Sequence, residues 1–211
     1  MFVWLFYTLL GWICGSVLFA RLASHLFHKP DIIIKSKDHN PGTANAFHYG
    51  GFWIGCFVLI GDFFKAFLPV WLYFYNVKTG MVFDWYSGIV CAAPVLGHTF
   101  PLWNEGKGGK GIAVSFGAFA GLWAGLFEIQ DLALLIGLFL FFVLIVRIKP
   151  DYWLTVTVYA LYLIFCPFFA ASACALWSGW LVSLIILIRM MKSKEKKRKN
   201  LKVYLLWKPL F

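Results

Sequence analysis

Long apolar runs alternate with short polar ones along the whole chain. The runs are Phe2–Ala23, Phe52–Tyr75, Trp85–Pro101, Ile112–Phe127, Leu132–Ile148, Tyr152–Phe169 and Ala171–Ile188. A helix that crosses a bilayer needs about 17–25 mostly apolar residues. The pattern therefore predicts an all-α, polytopic transmembrane helix bundle of about seven spans, or six or five if some segments are re-entrant. The fourth run is short, and only a weak break around Cys166-Pro167 separates the last two. Basic residues follow the first run rather than precede it, which argues against a cleaved signal peptide.

Composition places this pattern in a membrane. Of 211 residues, 62% are hydrophobic and 13% charged, and the mean hydropathy is +0.79. Soluble domains of this size run at about 45–50% apolar and about 25% charged. One bundle over residues 1–190 uses nearly the whole length, leaving residues 191–211 as a basic cytoplasmic tail. Cys14, Cys56, Cys91, Cys166 and Cys174 all lie in apolar runs with no Cys-x-x-Cys spacing. That excludes a disulfide framework or zinc site and makes them small buried hydrophobes. His25 and His28 lack a third ligand, so no metal is expected, and no cofactor is implied.

The net charge of +10 is unevenly spread, because from Arg189 onward nine basic residues stand against the single acid Glu195. Such a run is a lipid-headgroup anchor rather than a nucleic-acid site, since aromatic residues join it only at Tyr204 and Trp207. Loop charges alternate as well. Arg21, Lys29, Lys35 and Lys37 fall in the first loop, Lys107 and Lys110 in the third, and Arg147 and Lys149 in the fifth. The second loop holds only Lys78 and Asp84, and the fourth only Glu128 and Asp131. Basic excess marks the cytoplasmic side. The N-terminus is thus expected outside and the C-terminus inside, which agrees with an odd number of spans.

This topology puts two polar loops on one face. Gly106-Lys107-Gly108-Gly109-Lys110-Gly111 stands just before an apolar helix. Glycine amides, lysines and a helix N-terminus together suit a phosphate. It is not a Walker loop, because Gly111 follows Lys110 where Ser or Thr is required. The other loop contains Lys37-Asp38-His39-Asn40-Pro41-Gly42-Thr43-Ala44-Asn45, where turn amides and Asn side chains could hold a polyol or phosphate. Asp62 and Lys65, three apart inside the second run, fit either a structural ion pair or part of a site. No Ser-His-Asp order or nucleophile elbow is present.

These residues carry a resemblance. Gly97–Gly111, read as G-H-x-F-P-x-x-x-x-x-K-G-G-K-G, resembles the second signature of the bacterial acyl-phosphate:glycerol-3-phosphate acyltransferases. Gly15-Ser16 is similar to that family's early Gly-Ser, Asn40–Asn45 to its Asn-Pro-Gly-containing signature, and Gly61–Lys65 to its Asp-x-x-Lys helix. Order and spacing agree from about residue 11 to residue 117. The chain departs from the pattern at Asp38 and His39, which stand for Ser-Gly, and at His48, which stands for an arginine. Thr43-Ala44 inverts the family's order, and Ile148–Asp151 replaces a serine-containing stretch. The third signature is not recognisable in Arg189–Lys202.

The resemblance implies a multi-pass protein of the bacterial cell membrane that transfers an acyl group from fatty acyl phosphate to glycerol 3-phosphate. Membrane lipids would be its surroundings, and phospholipid biosynthesis its setting. The mixed anhydride is already activated, so placement and charge stabilisation suffice. Lys65, Lys107, Gly108, Gly109, Lys110 and Gly111 are then the phosphate-binding candidates, and Asn40, Gly42 and Asn45 position the polyol. A substrate phosphate oxygen, or else His98, Asp38 or His39, would take the hydroxyl proton. The departures leave two alternatives, a degenerate paralogue that binds lipid phosphates and an acyltransferase with a different acceptor.

Overall fold

The computed structural model describes residues 3–36, 39–77, 85–104, 107–193, 201–206 and 208–209. Each predicted apolar run is helical over most of its length. The helices are α1 (Val3–Ser16), α2 (Phe19–Leu26), α3 (Ile32–Lys35), α4 (Thr43–Asn45), α5 (Phe52–Val77), α6 (Trp85–Thr99), α7 (Ile112–Leu126), α8 (Gln130–Leu140), α9 (Asp151–Phe169) and α10 (Ala173–Met191). Among the described residues, α5, α9 and α10 are long and apolar enough to cross a membrane. A fourth crossing is formed if α1 and α2, bent by 48°, are one broken span. The remaining apolar helices are shorter.

Small residues set how the helices pack, as expected where apolar surface alone gives no driving force between helices in lipid. Gly117, Gly121 and Gly125 repeat every four residues along one face of α7. A Cβ at Gly117 would strike the Phe63 carbonyl, one at Gly121 the Phe67 carbonyl, and one at Gly125 the Phe74 side chain. These contacts make α5 and α7 the most intimate pair. Gly11 and Gly15 do the same for α1 against Pro94 of α6, and Gly97 of α6 lies on the Trp12 carbonyl. The core of buried side chains, including Val70, Phe74, Val90, Phe119, Leu122, Tyr159 and Ile186, runs between α5, α6, α7, α9 and α10. Trp53 and Phe168 are about four-fifths exposed, as lipid-facing side chains are (79% and 80%).

Three expectations need correction. First, the opening run is not one straight helix. Leu18 is extended, and α2 sets off in a new direction. Second, the chain is mostly helical, as expected, but the fifth run is not helical to its end. The fifth run passes through a π-helical turn, Phe141–Ile145, into strand β1 (Val146–Lys149). β-Branched Val146 and Ile148 favour extension, and Pro150 disfavours helix in the residue before it. β1 pairs antiparallel with β2 (Lys202–Leu205), Val146 opposite Leu205 and Ile148 opposite Val203, and β2 pairs with β3 (Lys208–Pro209). The described part of the tail is therefore docked on the bundle. Third, the break between the last two runs lies at Ala170–Ser172, and Pro167 is inside α9.

Candidate functional site

The break after α1 creates the first element of the site. The Arg21 amide bonds to Leu18, so the Val17 carbonyl is left outside the helical ladder. Lys65, from the middle of α5, donates to that carbonyl at 2.7 Å. The same ammonium donates to Asp62 Oδ1 at 2.6 Å and to His98 Nδ1 at 2.8 Å. All three side chains are buried. An ammonium has three N–H donors, and here each has an acceptor. Lys65 therefore holds other groups in place instead of presenting a donor to a ligand. With Nδ1 accepting, the neutral imidazole of His98 carries its proton on Nε2.

The glycine loop folds back onto that histidine. Gly109 N–H donates to the His98 carbonyl at 3.0 Å. A Cβ on Gly108 would enter the same carbonyl, and one on Gly109 would meet His98 Nε2. These glycines allow backbone to lie directly on His98, a different use from an open cradle of amides. Arg189, near the end of α10, clamps the loop from outside. Its Nη2 donates to Gly108 O at 2.7 Å and its Nε to Gly109 O at 3.2 Å. Gly111 sits at φ +88 and starts α7, a left-handed entry that suits glycine. On the other side, Leu102 N–H donates to Ser16 Oγ at 3.2 Å, which ties the loop to the end of α1.

Two cavities open around this frame. One, of about 330 Å³, is lined by Asn40, Gly42, Thr43, Asp62, His98, Lys110, Gly111, Asp151 and Thr155 on its polar side and by Leu59, Phe116 and Leu154 among its apolar residues. The other, also about 330 Å³, is basic, and His39, Asn40, Lys107, Lys110, Arg189 and Lys192 line it. Asn40 and Lys110 border both.

Most of the residues picked out from the sequence thus converge. His98, Asn40, Gly42, Lys110 and Gly111 face the first cavity, and His39 and Lys107 face the second. Asn45, Lys65, Gly108 and Gly109 line neither. Asn45 Nδ2 instead donates to the Asn40 carbonyl at 2.8 Å and fixes that turn. Asp38 lies outside the described residues, as do Glu105 and Gly106. Sequence reasoning missed Asp151, Thr155, Arg189 and Lys192. Their signals were slight: an acid opening a helix after Pro150, and two cations at the end of the last apolar run that looked like ordinary anchoring charge.

Comparison with known proteins adds the lineage. The model of the family described as glycerol-3-phosphate acyltransferase matches residues 5–201. The chain belongs to that family. It is 41% identical over 116 residues to the glycerol-3-phosphate acyltransferase of Pasteurella multocida, covering 55% of each chain. It is 40% identical over 113 residues to that of Proteus mirabilis, covering 53% of this chain and 49% of the relative. The chain thus spans about half the length of the curated relatives it matches. Its fold is that of PlsY, an integral membrane glycerol 3-phosphate acyltransferase solved in a glycerol 3-phosphate form, with TM-score 0.69 and 22% identity over 90% of this chain and 88% of that one. The lysophosphatidic acid form of PlsY matches equally well, with TM-score 0.69 over 93% and 90%.

Proposed function

We propose that this chain is a membrane acyltransferase that moves a fatty acyl group from acyl phosphate to the primary hydroxyl of glycerol 3-phosphate, giving lysophosphatidic acid. The observation that carries the reading is the pair of adjoining cavities that share Asn40 and Lys110, one partly apolar and one basic. A lipid anhydride and a small phosphorylated polyol have complementary needs. Leu59, Phe116 and Leu154 receive the first carbons of the acyl chain. Lys107, Arg189 and Lys192 receive the phosphate of the acceptor, and Lys110 reaches the anhydride phosphate. Asn40, which borders both cavities, and Gly42, in the first, position the polyol.

In the reaction the glycerol hydroxyl attacks the acyl carbonyl, the new ester C–O bond forms, and the anhydride C–O bond breaks to release inorganic phosphate. The hydroxyl proton passes to a phosphate oxygen. The Lys65–His98 bond supports this route, because a ring whose Nδ1 already accepts a hydrogen bond and whose Nε2 bears a proton is a donor, not a base. His98 then polarises the carbonyl or phosphate that enters the first cavity.

The seven apolar helical segments, with loop charges alternating between them, support a multi-pass protein of the bacterial cell membrane with its N-terminus outside. Residues 1–190 are its bundle, and residues 191–211 are a basic cytoplasmic tail. The experiment is phosphate release from palmitoyl phosphate by purified protein, with and without glycerol 3-phosphate. Release that requires the acceptor and falls roughly a hundredfold in Lys110→Ala is the expected result. Donor binding with no release in either form would reject the transfer reaction. It would favour the paralogue that binds lipid phosphates without turnover, a reading to which Asp38, His39 and the altered third signature lend support.

A further inference from the structure

The elbow between α2 and α3 holds a second polar pocket, separate from the two cavities of the site. It measures about 380 Å³ and is lined by Arg21, Ser24, His25, His28, Lys29 and Asp31. The elbow is held by specific bonds. Ser24 Oγ accepts from Ile32 N–H at 3.2 Å, Lys29 N–H donates to the Ser24 carbonyl at 2.9 Å, and Asp31 caps α3 through Ile33 N–H at 2.8 Å. His28 adopts φ +49, which non-glycine side chains seldom do. The pocket lies toward the glycine-loop end of the bundle, since α2 follows directly from the α1 end where Ser16 and Val17 bond to Leu102 and Lys65.

The surface of α2 has three distinct sides. Ala20, Ala23 and Ser24 are buried. Arg21 and His25, four apart, form an exposed polar strip, and Leu22 and Leu26, also four apart, form an exposed apolar strip beside it. Phe27 extends the apolar strip at 45% exposure. A membrane-interface helix has this arrangement, with its apolar side among acyl chains and its cations at headgroup level.

Charge selects the occupant. Arg21 is 3.6 Å from Asp31, and Lys29 adds a second cation to the same lining, which leaves the pocket with an excess of positive charge. That excess suits a phosphate anion at headgroup level. A free anion would make no use of Leu22, Leu26 and Phe27. We propose that the α2–α3 elbow binds an anionic diester phospholipid of the phosphatidylglycerol type, its phosphate between Arg21 and Lys29 and its chains along Leu22 and Leu26.

The test is native mass spectrometry of the full chain in neutral detergent, titrated with dioleoyl phosphatidylglycerol or dioleoyl phosphatidylcholine. Phosphatidylglycerol adducts are expected to form at least tenfold more readily. Arg21→Ala and Lys29→Glu should each lose that preference, Lys29→Glu by roughly thirtyfold because it changes two charges near the surface. Lys29→Glu leaves the backbone bonds of the elbow intact, and Lys110→Ala should keep the preference, which separates this pocket from the cavities of the site. Equal binding of the two lipids overturns the proposal. So does a preference that survives both elbow variants, or displacement of phosphatidylglycerol by millimolar inorganic phosphate.

Discussion

The bundle buries a carboxyl group at each end, and the two are housed differently. Asp62 stands against the Lys65 ammonium at 2.6 Å, borders a cavity, and is linked through Lys65 to a histidine and a broken helix end. Asp131, at the start of α8, has only neutral donors among the described residues. Tyr162 Oη donates to Oδ1 at 2.5 Å, and Cys166 Sγ lies 3.7 Å away. Among the described residues its Oδ2 has no hydrogen-bond partner. Cys166 is roughly 22 Å along α9 from Asp151 at about 1.5 Å per residue, so this cluster is remote from the cavities. An intramembrane carboxyl is a functional-site hypothesis by default. Among the described residues, the cation and the cavity attend Asp62 and not Asp131. Asp62 is tied into the wall of a cavity, and Asp131 into a contact between α8 and α9.

The largest expected effect breaks the first arrangement. Lys65→Met leaves Asp62 buried without its counter-ion and returns the Val17 carbonyl and His98 Nδ1 to an environment without a donor. Removing one partner of a buried pair costs about 3–5 kcal/mol. Denaturation in detergent micelles should show a loss of that size, and acyl transfer should vanish with it. Asp62→Asn combined with Lys65→Met should recover part of the stability and little of the activity, because His98 would still lack its donor. If Lys65→Met unfolds no more easily than the wild type, the distinction between the two ends is wrong.

A smaller effect belongs to the clamp. Arg189→Ala removes two charge-assisted hydrogen bonds to the glycine loop without emptying a core position. Hydrogen bonds to charged groups contribute about 1.5–3 kcal/mol each, and both accepting glycines are buried, so their carbonyls lose the donor without gaining water. Acyl transfer should fall roughly ten- to a hundredfold, with KM for glycerol 3-phosphate rising and stability in micelles dropping by about 1–3 kcal/mol. Arg189→Lys should recover only a fraction, since one ammonium cannot reproduce the two-point grip of the guanidinium. An unaltered KM in Arg189→Ala would detach the clamp from the site.

The sequence carries some of this plainly and some not at all. All seven apolar runs are helical over most of their length because hydropathy reports burial or lipid contact, and both suit a helix. The convergence of Asn40, His98 and Lys110 followed from putting two loops on one face. The bend at Val17–Leu18 and the passage from α8 into β1 were hidden, because a window wide enough to detect a span averages over the few residues where the backbone changes course. Lys65 was counted among phosphate ligands because its acceptors at Val17 and His98 lie far away in the chain. Gly108 and Gly109 looked like a cradle, yet composition does not say whether a glycine makes room for a ligand or for a histidine. The pairing of β2 with β1 joins segments more than fifty residues apart, a contact that no local pattern records.

The smallest effect tests the far end. Asp131→Asn retains an acceptor oxygen for the Tyr162 hydroxyl, and the new amide nitrogen takes the place of the unpartnered Oδ2. No charge is left stranded, because among the described residues the groups that bond Asp131 are neutral. The cost should be within about 1 kcal/mol, the net value of an ordinary hydrogen bond. Tyr162→Phe removes the hydroxyl donor to Oδ1 and should cost somewhat more, about 1–2 kcal/mol, since among the described residues it leaves the carboxyl with the distant thiol. Both variants should transfer acyl groups at close to the wild-type rate, measured in the same micelles as the stability. A tenfold loss of turnover in Asp131→Asn with stability intact would place Asp131 in the chemistry. The carboxyl without a cation would then prove to be as functional as the one that has its lysine.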